Sequence, residues 1–367
     1  MRILTLLLVL ICNVSAYTSV LPNLPEPLKY GVGVAVNNNI YVGLGSMGQN
    51  WYKIDANSEN NQWVKIASFP DVPREQATAI TLNNKIYILG GIGKDNSGLT
   101  KVQEYVYVYD IKKDKWEKLL TRPPVSLAGH ISFAYKDQII SFGGVNANIF
   151  NGLFHDINYA NNNTSLKDKI NENYFSKPEE DYFLNKQIIS FSPDNNLWMN
   201  FGILPFAGTA GSSVVTDNNR IFLLAGERKP GLRSTSVWAG NIKDRTIEWS
   251  KLPSVAVPDG VSEAYGAFIN GNLTLAGGAY FPGAIDNYNK GLYWSHKGLI
   301  KHYSKDIYQL RNDKWIRVAS LPEGIAYGVS LPWKDGMLII GGEKGNGEAI
   351  SDIFFLKQNG DDVKVIK

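Results

Sequence analysis

The chain has 367 residues, 44% of them apolar, and its 37 Lys+Arg against 34 Asp+Glu leave a formal net charge of +3. That near-neutral balance, with no Lys/Arg block, argues against nucleic acid or an anionic membrane surface as a partner. One cysteine, Cys12, makes no disulfide framework, so the fold must rest on its hydrophobic core.

The first element is Met1-Arg2, an apolar run from Ile3 to Ile11 and a small-residue site at Val14-Ser15-Ala16. This is the layout of a secretory signal peptide cut after Ala16, because the apolar run is too short to span a bilayer. Residues 1–16 are therefore expected to be a leader and residues 17–367 a single domain. Cleavage would remove Cys12, and with it any thiol nucleophile. No later stretch is apolar for long enough to cross a membrane.

Six times the chain then writes an apolar strand that ends in a small-residue pair and a turn. The copies are Ile40–Gly45, Ile86–Gly91, Ile139–Gly144, Ile221–Gly226, Leu273–Gly278 and Met337–Gly342. A third strand follows each pair, usually with a tryptophan beyond it. Tyr109 to Trp116, Phe191 to Trp198 and Tyr308 to Trp315 share one spacing, and Trp63 and Trp249 fill the same place in two other copies. With two long excursions set aside, the period is about 50 residues, the length of a kelch blade.

Each copy reads as four short strands. In the second they are Gln76–Leu82, Lys85–Leu89, Val106–Asp110 and Trp116–Leu119, with Asn83-Asn84 suited to the tight turn between the first two. A lone four-stranded blade cannot bury both faces, whereas a ring of blades can and also protects the strand edges. The expected fold is all-β: a six-bladed kelch-type β-propeller with insertions on one face. Its glycines end the second strand where a Cβ would interfere, and its tryptophans fill the space between blades. The sixth blade runs from Tyr327 to the C-terminus. Ser19–Leu28 resembles a blade-linking tail, which leaves closure by the N- or the C-terminal strand open.

The two excursions occupy roughly residues 146–186 and 280–305, both between strands two and three. Antiparallel order places them, and the tip after Glu227, at one mouth of the ring, and insertions gathered on one face mark a binding side. In the first, Leu166, Ile170 and Tyr174 predict a helix, with Ser165 and Asp168 as its capping box and a lid packed on the rim as its role. The aromatic second insertion (Tyr280, Phe281, Tyr288, Tyr293, Trp294) suits a sugar-stacking platform, a satellite core or a dimer contact.

The residue after the small pair reads Ser46, Ile92, Val145, Glu227, Ala279 and Glu343. Two copies carry carboxylates, and Glu227 is followed by Arg228, Lys229 and Arg233. Arg74, in a blade link, is expected to project into the same mouth, where Asn146 and Asn148 begin the long insertion. An arginine offers a planar fork for a substrate carboxylate, and a glutamate in a partly desolvated cleft can serve as general base or acid. The same spacing also fits a structural Glu227–Arg233 salt bridge. Of four histidines none has metal-ligand spacing, and only His130, at the start of a first strand near the mouth, bears watching. No metal or cofactor is expected.

Several runs are more specific than kelch glycines. They are Gly90-Gly91-Ile92-Gly93-Lys94, Gly143-Gly144-Val145-Asn146 through Asn148-Ile149-Phe150-Asn151-Gly152, and Glu180-Asp181-Tyr182-Phe183. Gly226-Glu227, Lys229-Pro230-Gly231-Leu232-Arg233 and Ala326-Tyr327-Gly328-Val329-Ser330-Leu331-Pro332-Trp333 complete them. From about Val20 onward the chain resembles the N-acetylneuraminate epimerases, sialic acid mutarotases exported by Gram-negative bacteria. The resemblance implies a periplasmic, homodimeric isomerase that interconverts α- and β-N-acetylneuraminate without metal or nucleotide. Glu227 matches the family's proton acceptor and Arg233 the residue that holds the sugar's carboxylate. Arg74, Asn148 and Glu343 are the further binding candidates. Arg228 departs from the family loop, where a small residue is usual, and bears on local packing only. A non-catalytic sugar-binding propeller and a protein-interaction scaffold are the alternatives, the export signal weighing against the second.

Overall fold

The computed structural model describes residues 21–58 and 61–367, and the expected leader lies outside them. Six four-stranded antiparallel sheets follow one another along the chain. Blade one uses Val32–Val36, Asn39–Gly43, Trp51–Asp55 and Val64–Lys65, and blade two Thr78–Leu82, Lys85–Leu89, Tyr107–Asp110 and Lys115–Lys118. Blade three uses Ile131–Tyr135, Gln138–Phe142, Gln187–Ser192 and Leu197–Ile203, and blade four Ser213–Asp217, Arg220–Leu224, Val237–Lys243 and Thr246–Leu252. Blade five is Tyr265–Ile269, Asn272–Ala276, Asp306–Arg311 and Lys314–Ser320, and blade six Val329–Trp333, Gly336–Ile340, Ile353–Asn359 and Asp362–Ile366. The six-bladed propeller expected from the repeat is the observed fold.

Every first hairpin closes through a two-residue turn whose leading residue has positive φ: Asn37, Asn83, Lys136, Asn218, Asn270 and Lys334. Asparagine fills four of the six, as the left-handed turn favours. Second strands are the most deeply buried, with Ile40, Ile86, Ile139, Ile221 and Met337 fully covered. Each such side chain contributes roughly 1.5–3 kcal/mol. The tryptophans join neighbouring blades by their indole N–H as well as by area. Trp116 donates to Ala67 O (2.8 Å), Trp198 to Thr121 Oγ1 (2.9 Å) and Trp315 to Pro253 O (2.8 Å).

Two rings of main-chain hydrogen bonds run around the axis at the mouth. In the outer ring a small-pair glycine N–H of each blade donates to the next blade's link. Gly45 donates to Arg74 O, Gly91 to Leu127, Gly144 to Thr209, Gly226 to Val261, Gly278 to Ile325, and Gly342 back to Leu28. The glycine is required by this approach: a Cβ on Gly90 would stand 1.8 Å from Leu127 O, at φ +60°. In the inner ring the residue two positions before each first strand donates to its counterpart on the preceding blade. Gln76 donates to Tyr30, Gly129 to Gln76, Gly211 to Gly129, Glu263 to Gly211, Tyr327 to Glu263 and Tyr30 to Tyr327, at 2.7–3.2 Å.

Among the described residues neither terminal strand closes the propeller, since no blade mixes strands from the two ends. Closure comes from the two rings and from the segment before blade one. Leu24 N and Leu28 N donate to Ser351 O and Ile350 O of blade six. Leu21, Leu24 and Leu28 pack into one core with Val329, Leu331, Trp333 and Ile353. Among the described residues no helix is long and apolar enough to cross a membrane.

Both insertions emerge at the mouth. The first holds two helices rather than the single one expected, α1 (Ala147–Ala160) and α2 (Thr164–Phe175). Asn163, not Ser165, caps α2, its Oδ1 accepting from Leu166 N at 3.0 Å. α1 is capped by Asn146, whose Oδ1 accepts from Asn148 N and Ile149 N. The second insertion contains one short helix, α3 (Ala284–Asn289).

Candidate active site

A chamber of about 420 Å³ opens at the mouth, a size that suits a small-molecule ligand. Its floor is the inner ring, its wall the blade-four tip, and its roof the first insertion. A narrower throat of about 90 Å³, lined by Tyr30, Gln76, His130, Glu263 and Tyr327, continues from the floor along the axis.

The roof is the apolar side of α1. Ile149, Phe150, Leu153 and Phe154 recur at helical spacing and all face the chamber, joined by Tyr174, Phe175 and Tyr182. The blade-four tip is a short hairpin, Glu227–Lys229 paired with Leu232–Arg233. Two of its side chains hold the insertions in place. Arg228 grips the Glu179 carboxylate through both Nε (2.5 Å) and a terminal nitrogen, so the residue that departs from the family loop ties that loop to the lid. Lys229 is fully buried and gives its ammonium to Phe175 O (2.8 Å), Lys177 O (2.6 Å) and Tyr293 O (2.5 Å). Burial pulls its pKa down to about 8, against the pull of Glu179. Both insertions thus meet on one lysine.

Glu227 lines the chamber, its side chain 27% exposed, and pairs with the buried Arg233. Arg233 lies immediately behind it, donates from Nε to Ala279 O (3.3 Å), and stacks its guanidinium over Phe281 at 5.5 Å. The two residues named first from sequence are therefore in contact, in the salt bridge that their spacing also allowed.

The other three candidates sit elsewhere. Arg74 does not reach the mouth. It is fully buried, donating to Gly90 O (3.0 Å), Tyr105 O (2.9 Å) and Asp71 (2.8 Å), between the rings of Phe69 and Tyr107. A long cation amid carbonyls and rings satisfies itself inward. Asn148 is exposed on α1 and outside the chamber, which Asn146 lines instead. Glu343 is buried and outside the chamber lining, its carboxylate taken by Lys29 (2.7 Å), Lys301 (2.8 Å), Tyr30 (3.3 Å) and Tyr303. Burial opposes its charge, but the lysines and Tyr303 outweigh it and hold the carboxyl below its ordinary value.

The aromatic second insertion forms a satellite core rather than a sugar platform. Trp294 stacks on Phe175 at 4.9 Å, Tyr288 and Tyr293 meet at 5.4 Å, and none of Trp294, Tyr288 and Tyr293 lines the chamber. His130 lies in the throat, its Nε2 2.9 Å from Thr78 Oγ1, and burial pulls its pKa down to about 3, so it is neutral.

The residues that sequence reasoning missed form the floor. The inner-ring position has positive φ in all six blades, yet only Gly129 and Gly211 are glycine; Tyr30, Gln76, Glu263 and Tyr327 are not. Side chains at such φ are uncommon and strained, and that strain gathers at functional sites. All four line the chamber. The signal lay in a different column of the repeat from the one compared: the position two residues ahead of each first strand.

Comparison with known proteins bears on the family and the fold. A family model described as N-acetylneuraminate epimerase matches residues 21–365. The chain is similar to N-acetylneuraminate epimerase 1 of Escherichia coli O6:H1, at 59% identity over 95% of this chain and 93% of that one. With N-acetylneuraminate epimerase of Escherichia coli K12 it shares 42% identity over 96% and 95% of the two chains. The solved structure of YjhT superposes with a TM-score of 0.93 at 42% identity, covering 95% of this chain and all of that one. Repeat, insertions and near-complete coverage converge: the chain belongs to the N-acetylneuraminate epimerase family.

Proposed function

We propose that this chain interconverts the α and β anomers of N-acetylneuraminate by general acid/base ring opening, with Glu227 as the proton acceptor. The observation that carries the reading is Glu227 on the chamber wall, paired with the buried Arg233 behind it, on a chain of this family. Arg233 suits the sugar's own carboxylate, each charge-assisted bond contributing roughly 1.5–3 kcal/mol. Its fork is held by Glu227 before substrate arrives. The incoming carboxylate takes Glu227's place there and leaves Glu227 free to accept the anomeric proton, so binding and activation of the base are one event.

The bond between the anomeric carbon and the ring oxygen then breaks and gives an open-chain ketone. Closure on the opposite face returns the other anomer. Only protons move, and about 10²- to 10⁴-fold of acid/base assistance is what positioned side chains supply. The apolar roof keeps bulk water from the reacting centre. The expected leader would deliver the chain to the periplasm, where it acts as a homodimer; sedimentation at micromolar protein tests the second point by returning twice the monomer mass.

Proton NMR of freshly released α-N-acetylneuraminate is the direct test. Exchange must be faster with the protein than in buffer, and equal rates sink the enzyme reading. The closed Glu227–Arg233 pair also fits a non-catalytic sugar-binding propeller, which would show saturable binding with no gain in exchange.

A further inference from the structure

Opening the ring needs two proton movements: one leaves the anomeric hydroxyl and another reaches the ring oxygen. Glu227, held in an ion pair, is a carboxylate and has no proton to give. The floor of the same chamber carries a second carboxyl group. Glu263 stands at the junction of chamber and throat and lines both. Its backbone is held at φ +56° by the inner ring, which fixes the side chain over Gly211. A Cβ on Gly211 would lie 2.5 Å from a Glu263 carboxyl oxygen, so that glycine is the seat of this side chain. The neighbouring Ala210 is the residue with which Glu227 exchanges both main-chain hydrogen bonds, at 2.6 and 2.9 Å. The two acids therefore flank one short segment of chain.

We propose that Glu263 is the general acid of the reaction, giving its proton to the sugar's ring oxygen as Glu227 takes one from the anomeric hydroxyl. The inference rests on the mutarotase reading and adds the second catalytic residue. The electron pair of the breaking carbon–oxygen bond stays on the ring oxygen, which takes the Glu263 proton, while the anomeric oxygen becomes a carbonyl. In closure the hydroxyl attacks the other face, returns its proton to Glu263, and Glu227 reprotonates the carbonyl oxygen. No oxidant or co-reactant enters.

The surroundings keep the two acids in opposite states, which is how one site runs acid and base together. Glu263 retains some accessible surface, but that surface faces the enclosed channel. Burial raises its pKa to about 7, and Arg233 offsets only part of the rise. The titratable groups around it are Arg233 of blade four, Tyr327 of blade six, Tyr265 of its own blade, Tyr30 and His130 lining the same throat, and Glu75, Glu227 and Lys229 lining the same chamber. Of these the charge that acts on Glu263 is that of Arg233.

The test is anomer exchange by NMR from pH 5 to 9 for wild type, E227Q and E263Q, with folding checked by thermal melts. Wild type should lose activity above about pH 7 as Glu263 gives up its proton. E263Q should fall by about 100-fold in kcat, with KM within threefold, and should lose that alkaline limb. E263Q at wild-type rate with the limb intact, while E227Q is inactive, overturns the Glu263 role and leaves the mutarotase reading standing. Wild-type exchange no faster than buffer overturns both. Calorimetry of N-acetylneuraminate binding to wild type at pH 7.5, in two buffers of different ionisation enthalpy, gives an answer even should E263Q not fold. Proton uptake is expected as the sugar anion nears Glu263, and zero uptake overturns the assignment.

Discussion

The tips of blades four and six place a glutamate at the same point of the repeat, and the fold treats the two in opposite ways. Glu227 and Glu343 each follow the small pair, and each pairs its backbone with the residue just ahead of the inner ring, Ala210 in one case and Ala326 in the other. Glu227 meets one cation and faces the chamber. Glu343 meets two lysines and two tyrosines and faces none of it. A carboxylate with one partner can exchange that partner for a substrate. One with four donors is a fixture, since every lone pair is already used.

Substitution at both tips puts that difference to its hardest test. E227Q should cut anomer exchange by at least about 100-fold, about 2.7 kcal/mol in the barrier, with the secondary structure seen by circular dichroism unchanged. An exchange rate within threefold of wild type would move the base elsewhere. E343Q should do the reverse, losing about 2 kcal/mol of stability in urea titration and little of kcat. Its pH dependence carries a sign. Because the folded carboxyl lies below its ordinary value, the wild-type advantage is present at neutral pH, begins to shrink below about pH 4.3 and is lost as pH falls through the lower folded value. An advantage that did not shrink at all on acidification would mean that geometry rather than charge holds the site.

A smaller effect belongs to the lid. K229M leaves three carbonyls without their donor, so hydrogen exchange should quicken across α2 and the Tyr293 loop, and KM should rise several-fold with kcat less affected. Unchanged exchange there would mean that the Arg228–Glu179 pair suffices. Least of all should follow from N148A, which removes an exposed side chain outside the chamber. Stability should stay within about 0.5 kcal/mol and KM within twofold, and a larger rise in KM would return Asn148 to the site.

The architecture was legible because a repeat is its own alignment. Six glycine-ended turns, the tryptophan spacing and two excess lengths pointed to blade number and to the face bearing the insertions, and the lone carboxylate–arginine tip singled out Glu227 and Arg233. Side-chain direction was not legible. Arg74 lies in a mouth-side link, as expected, yet turns inward to carbonyls and rings that only the folded chain assembles. α1 escaped notice because Ile149, Phe150, Leu153 and Phe154 read as insertion filler until Asn146, noted only as the start of the insertion, proves to be its cap. Glu263 escaped for a different reason. Its column mixes two glycines with four large residues, and only the shared left-handed backbone shows that these are copies of one position.

The inner ring carries a consequence for how such propellers change their chemistry. Since main-chain hydrogen bonds run through all six members, the collar's frame stands whichever side chains it carries. A lineage can therefore swap the letters at 30, 76, 129, 263 and 327, at roughly 1 kcal/mol for each left-handed non-glycine, and retune what the axis accepts while every blade stays where it was.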